Sequence, residues 1–315
     1  MNKKLAVSTA VIILLSLYLI ARSCKSDSVD LKPIKGEIDY ILVQKGETKL
    51  FFEREGKDWF INEEKYPADE MQIDNFAERV TKLKLTDIIS TQRYYERYGL
   101  DAKNEMTIIL KKDGKVLRKV SAGLASSASR HVFVRIDDKP EVYQTDETFS
   151  AESDMNVEAY RDKTICKIKK EEIVSLLISY NGKNFTFNRV KGDLISETKD
   201  DVWQSPELEG SELDKNKMSS LVSTVVSLRA SKFDTSDAKT KREPTAKIFV
   251  KSDKNNLALS VFDYDIKKNG QAKGSNEYLV ISSDSKYKFI TDGWQIEKLF
   301  ITDISTYKAP AKDKN

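Results

Sequence analysis

The chain has 315 residues, enough for two domains of ordinary size or one elongated one. Hydrophobic residues make up 39% and charged residues 33%, which supports real cores and excludes wholesale disorder. With 53 Lys and Arg against 50 Asp and Glu, both signs interspersed, no field of one charge calls for a nucleic-acid backbone as partner.

Lys3 and Lys4 precede an apolar run from Leu5 to Ala21, and Arg22-Ser23-Cys24 follows. A basic start before a short apolar run is the pattern of a secretory signal or a signal anchor. As a helix the run would reach roughly 25 Å at about 1.5 Å per residue, slightly short of the ~30 Å hydrocarbon core. The expectation is a chain held at the membrane by residues 1–24, with the long remainder translocated. Ala21 and Ser23 before Cys24 resemble the end of a bacterial lipoprotein signal, in which Cys24 would carry the lipid, whereas Arg22 departs from that pattern. A lipoprotein and an uncleaved transmembrane anchor both remain open. Residues 25–37, beginning Lys25-Ser26-Asp27-Ser28, read as a polar tether. Cys166 is the only other cysteine, so there is no disulfide framework and no thiolate metal site. It reads as a small buried hydrophobe.

A first unit is expected over residues 38–165. Ile38 to Val43, Lys49 to Glu53 and Asp58 to Ile61 are strand-like, with Gly46 and Gly56 at the turns. Ile73, Phe76, Val80 and Leu83 then recur at helical spacing, and Asp69 with Gln72 three residues on gives a capping-box-like start. These signals predict a helix near 70–85. Strands return at Met106 to Lys111, Val116 to Ser121, His131 to Ile136 and Glu141 to Thr145.

The order repeats over residues 166–302. Val174 to Tyr180, Phe185 to Arg189 and the segment at Trp203 match the first three strands. Met218, Leu221, Val222, Val225 and Leu228 match the helix stripe and predict a helix near 213–228. Ile248 to Lys251, Ala258 to Phe262, Glu277 to Ile281 and Tyr287 to Thr291 match the later strands. Trp59 with Trp203, Phe76 with Leu221 and Ile108 with Ile248 lie about 140 residues apart, which argues for duplication. Residues 303–315 read as a polar tail. The expected fold is α+β and β-rich: two tandem copies of an antiparallel sheet with one packed amphipathic helix, after an N-terminal membrane anchor.

Several short motifs occur in a shared order: Trp59-Phe60-Ile61, the Ala68-Asp69 helix start, Tyr98-Gly99-Leu100, His131-Val132-Phe133-Val134-Arg135, Val142-Tyr143 and Tyr160-Arg161-Asp162-Lys163. In this the chain resembles a bacterial family known as a domain of unknown function, DUF4340, over roughly residues 40 to 300. The family is similar to proteins encoded beside gliding-type ABC transporters. The resemblance therefore implies an anchored extracytoplasmic accessory subunit, and it brings no catalytic residue.

Candidate chemistry is sparse. His131 is the single histidine, so any Ser–His–Asp arrangement would have to use it with a serine such as those in Ser126-Ser127-Ala128-Ser129. No strand–turn–helix nucleophile elbow surrounds any serine, and His131 reads as a loop-edge residue entering a strand. Asp263-Tyr264-Asp265 with Asn269-Gly270 lacks the spacing of a calcium loop, and the adjacent pairs Asp137-Asp138 and Asp200-Asp201 read as turns. Neither phosphate-binding glycine motif occurs, so the chain is not the ATPase of a transporter it serves. No cofactor is expected.

Arg161-Asp162-Lys163 is the polar cluster that stands out, at the border of the two units. It reads as a structural junction in which Arg161 ties the end of the first sheet, or as a basic patch for a ligand or partner. The resulting expectation is a non-catalytic, membrane-anchored extracytoplasmic accessory or binding subunit whose partners are the membrane and other envelope proteins. A structural envelope lipoprotein and a cell-wall or glycan hydrolase are the alternatives.

Overall fold

The computed structural model describes residues 36–125, 131–149, 154–192, 201–235, 243–264 and 276–310, together with positions 13, 16, 31, 32, 34 and 152. Two compact units emerge, Met1–Asp162 and Lys163–Asn315.

In unit 1 the strands are β1 (Tyr40–Lys45), β2 (Thr48–Glu55), β3 (Asp58–Ile61), β4 (Tyr66–Pro67), β5 (Leu85–Ser90), β6 (Met106–Lys112), β7 (Lys115–Ala125), β8 (Val132–Ile136) and β9 (Val142–Thr145). They form one sheet in the order β4-β3-β2-β1-β6-β7-β8-β9-β5. All of its pairings are antiparallel. Side chains alternate across a pleated strand, so Ile41 and Val43 of β1 share a face with their cross-strand partners Phe52 and Leu50 of β2 and Leu110 and Ile108 of β6. All six are buried.

Helix α1 (Glu70–Thr81) covers that face with Ile73, Phe76, Ala77 and Val80. Asp69 caps it, its carboxylate accepting from the Gln72 N–H at 3.4 Å. Full burial of a side chain such as Phe76 stabilises by about 1.5–3 kcal/mol. The helix ends four residues before the limit predicted near residue 85. Leu83 is buried outside it, and Leu85 already begins β5, a strand paired with β9 across a long stretch of sequence.

Unit 2 contains β10 (Ile173–Tyr180), β11 (Lys183–Val190), β12 (Val202–Gln204), β13 (Lys232–Asp234), β14 (Ala246–Ser252), β15 (Asn256–Asp263), β16 (Glu277–Ser282) and β17 (Lys288–Asp292). Their order is β12-β11-β10-β14-β15-β16-β17-β13. This is the order of unit 1 without β4, whose place is taken by a single bridge between Gln204 and Glu212. The β10–β11 hairpin turns through Asn181 and Gly182, both at positive φ, the backbone a two-residue hairpin requires.

Helix α2 (Lys215–Val226) is capped by Asp214 and buries Met218, Leu221, Val222 and Val225. Counted from the two capping aspartates, these positions coincide with Ile73, Phe76, Ala77 and Val80 of α1. Cross-strand register aligns the rest: Phe52 pairs with Ile41 as Phe187 pairs with Leu176, and Arg54 pairs with Trp59 as Arg189 pairs with Trp203.

Two sequence expectations change at the unit ends. Leu31 and Ile34, expected within a polar tether, pack against the first core. The stretch from residue 303, expected as a polar tail, instead supplies buried Ile304 and half-buried Tyr307 to the second core, because Asp303 starts a helical turn there.

Candidate functional site

The Tyr160-Arg161-Asp162 motif closes unit 1 as a strap across the start of α1. A helical turn, Val157–Tyr160, is begun by Asn156, whose side chain accepts from the Glu158 N–H. Beyond it the chain runs extended beside Pro67-Ala68-Asp69. The Asp69 N–H donates to the Tyr160 carbonyl at 2.8 Å, the Asp162 N–H donates to the Pro67 carbonyl at 2.8 Å, and Ala68 bridges Arg161. The backbone of the capping residue is thereby satisfied outside any ladder. Arg161 is buried: its Nη1 donates to Glu158 Oε1 at 2.7 Å, and its guanidinium lies 4.2 Å from the Tyr66 ring centroid.

Tyr160 carries the strap into the core. Its ring meets Phe52 at 5.0 Å and Phe76 at 6.3 Å. Its hydroxyl donates to Glu152 Oε1 at 2.9 Å. Glu152 is only 1% exposed, and its carboxylate also takes the guanidinium of Arg79 from α1. Arg79 Nη1 donates in addition to the Thr148 carbonyl at 3.0 Å. A buried carboxylate persists only when paired in this way. Burial, and after it the charge of Glu152, pushes the Tyr160 phenol well above its ordinary range.

Unit 2 closes with the same strap, which the sequence reading did not find. The Asp214 N–H donates to the Tyr307 carbonyl at 2.8 Å, the Ala309 N–H donates to the Glu212 carbonyl at 3.2 Å, and Leu213 bridges Lys308. The Tyr307 ring lies 5.4 Å from Phe187, as Tyr160 lies on Phe52. Tyr307-Lys308 is therefore the counterpart of Tyr160-Arg161. The available signal was an aromatic residue followed by a base at each unit end.

The other sequence candidates fall elsewhere. Lys163 belongs to unit 2, where its carbonyl accepts from the Ala230 N–H at 2.8 Å. Cys24 and Ser126 to Ser129 lie outside the described residues. His131 faces Asp146 through Nδ1. Asp137 and Asp138 occupy a turn at positive φ and pair with Arg118 and Lys119. Cys166 is buried in the second core, and burial raises its thiol above the ordinary value. Among the described residues, no group of three or more His, Cys, Asp or Glu side chains could hold a metal ion. No helix among them is long and apolar enough to cross a membrane, and of the run from Leu5 to Ala21 only positions 13 and 16 are described.

The fold and its straps define a class: a β-rich α+β protein made of two antiparallel sheets, each carrying one main helix clamped by a C-terminal strap. Residues 59–247 match the family described as "Domain of unknown function (DUF4340)", and the chain belongs to that family. No curated protein and no solved structure matches it.

Proposed function

We propose that the chain is a non-catalytic, membrane-anchored extracytoplasmic accessory or binding subunit of an envelope complex. The observation that carries this reading is the N-terminal segment: Lys3 and Lys4, the apolar run from Leu5 to Ala21, and Cys24. The resemblance that linked this family to neighbours of gliding-type ABC transporters supports a transporter or surface-motility complex as its setting. Two units of one topology suit a binding subunit, because each strap presents a different set of side chains on a common frame. Their shared strand order, helix spacing and straps also support an origin by duplication of a single unit.

Fractionation of cells expressing the full chain, beside a chain that begins at Lys25, tests the anchor. The full chain is expected with the membranes and the shortened one free of them. Recovery of the full chain as a soluble cytoplasmic protein overturns the proposal. Cys24→Ala distinguishes the two anchors, since it releases or mislocalises a lipoprotein and leaves a transmembrane anchor in place.

A further inference from the structure

The outer face of the unit 2 sheet, opposite its core, carries a grid of side chains set by strand register. Its middle row runs Thr186, Leu177, Phe249 and Ala258 across β11, β10, β14 and β15. One flanking row is Asn188, Ser175, Lys251 and Asn256, and the other is Asn184, Ser179, Lys247 and Ser260. No carboxylate stands in any of the three rows. The nearest acids along β14 are Glu243 before it and Asp253 after it, and Asp253 pairs with Lys191.

Phe249 sits at the centre with 43% of its surface exposed, and it joins none of the buried apolar clusters. A lone exposed phenylalanine is ordinary on a protein surface. This one lies in an open hollow of about 510 Å³ that Lys251, Asn256, Ala258 and Ser283 complete. Lys247 and Lys251 are exposed on either side of it along β14, about 13 Å apart at the rise of an extended strand. Neither lysine has an ion-pair or hydrogen-bond partner among the described residues. The Ser175 and Ser179 hydroxyls donate to the carboxamide oxygens of Asn188 and Asn184 at 2.8 and 2.7 Å, which leaves both amide N–H groups for another acceptor.

Unit 1 closes the same ground by itself. By register Ile109 stands in the place of Phe249, next to Leu42 as Phe249 is next to Leu177. Beside it Tyr40 stacks on Phe51 at 5.9 Å, Lys111 lies 4.7 Å from the Tyr40 ring centroid, and Glu53 completes the row. The ring and the cations that unit 1 sets against one another are left uncovered in unit 2.

We propose that this face binds an acidic glycan. Phe249 stacks on the C–H face of a sugar ring, and Lys247 and Lys251 take the carboxylates of uronic acid residues on either side. The carboxamides of Asn184, Asn188 and Asn256 bond the sugar hydroxyls. An aromatic ring presents a negative face, to which the weakly positive C–H groups of a pyranose are complementary. Sugar hydroxyls both donate and accept, as carboxamides do. A single-stranded nucleic acid would stack successive bases on several rings and bring a charge at every phosphate, whereas this face offers one ring and two cations. The inference goes beyond the anchored-subunit reading and does not depend on it.

Calorimetric titration of the full chain in mild detergent tests it. The probes are oligomers of galacturonic and of mannuronic acid, their neutral methyl esters, and single-stranded oligothymidylate. At least one acid oligomer is expected to bind about tenfold more tightly than its ester, with an affinity that falls as salt is raised. Phe249→Ala should weaken that binding by about tenfold with the melting temperature unchanged, because the ring packs in no core. Lys247→Gln combined with Lys251→Gln should remove the preference for acid over ester. Absence of binding by both acid oligomers, equal affinity for acid and ester, or an unaltered titration with Phe249→Ala overturns the proposal. So does oligothymidylate binding as tightly as the acid glycan, which would make the face a nucleic-acid platform. Membrane association without glycan binding counts against this inference alone, and glycan binding without membrane association counts against the anchor alone.

Discussion

Units 1 and 2 share strand order, helix position and strap, yet they complete the outer faces of their sheets by different means. In unit 1 the long connection from β5 to β6 makes a helical turn, Tyr95–Tyr98, that lies on the sheet. The Tyr98 ring packs edge-on against Phe133 at 5.0 Å, and Arg135 stacks on Tyr95 at 4.2 Å. The backbone comes so close that a Cβ at position 123 would stand 2.1 Å from the Tyr98 carbonyl oxygen, which is why Gly123 is there. In unit 2 the residue equivalent to Gly123 by register is Phe262, and it forms a small buried cluster with Leu279 and Ile290. One unit covers its outer face with a passing loop and the other with its own side chains. Identical topology therefore leaves each unit free to expose a different surface, and the same substitution produces opposite physical effects in the two.

The largest effect is expected at this pair of positions. Phe262→Ala should destabilise unit 2 by about 3 kcal/mol through the cavity it opens. Gly123→Ala should destabilise unit 1 by about 1–3 kcal/mol through the opposite cause, overpacking that displaces the Tyr95–Tyr98 turn. Chemical denaturation of both variants measures the losses, and hydrogen exchange at the Tyr98 and Gly99 amides shows whether the turn has lifted. An unperturbed turn in Gly123→Ala would break the comparison.

A smaller difference should separate the straps. Arg161 is buried against Glu158 and Tyr66, so Arg161→Ala should cost about 2 kcal/mol by stranding the acceptors and the ring it covers. Lys308, its exposed counterpart, holds its place through backbone bonding, so Lys308→Ala should leave the melting temperature unchanged. Arg161→Lys should be only partly tolerated, because an ammonium does not stack on Tyr66 as a planar guanidinium does. Equal behaviour of the two alanine variants would mean that the strap backbone alone closes each unit.

The smallest effect concerns pH. Burial, and then the hydrogen bond to Glu297, push the Tyr278 phenol up to about 12, whereas unit 1 has Val132 at the equivalent place. A folded-state value raised above the ordinary one near 10 contributes stability that is present below about pH 10 and lost as the pH climbs toward 12. Titration by phenolate absorbance should find one tyrosine ionising near 12 that disappears in Tyr278→Phe. The same variant should flatten the loss of stability over that interval.

Much of this molecule was legible because burial imposes a period on the sequence. Val43, Ile108, Phe187 and Ile248 alternate with half-buried or exposed neighbours, so the strands bearing them stand out, and Asp69 and Asp214 mark the starts of helices whose apolar spacing is the same. Strands without that period were hidden. β5 carries only one buried residue, Leu85, is interrupted by two register shifts and pairs with β9, far along the chain. β13 is three residues long.

By itself the sequence determined the β-rich class, the repeated order of elements, the two helices and the Tyr160-Arg161-Asp162-Lys163 motif, because each depends on local propensity or on side chains a few positions apart. Tertiary structure alone decided that Tyr307-Lys308 is the second strap and that Gly123 and Phe262 are equivalent. Those relations join residues distant in sequence through backbone register and hydrogen bonds to a helix cap, and register is a property of paired strands, which no single segment contains.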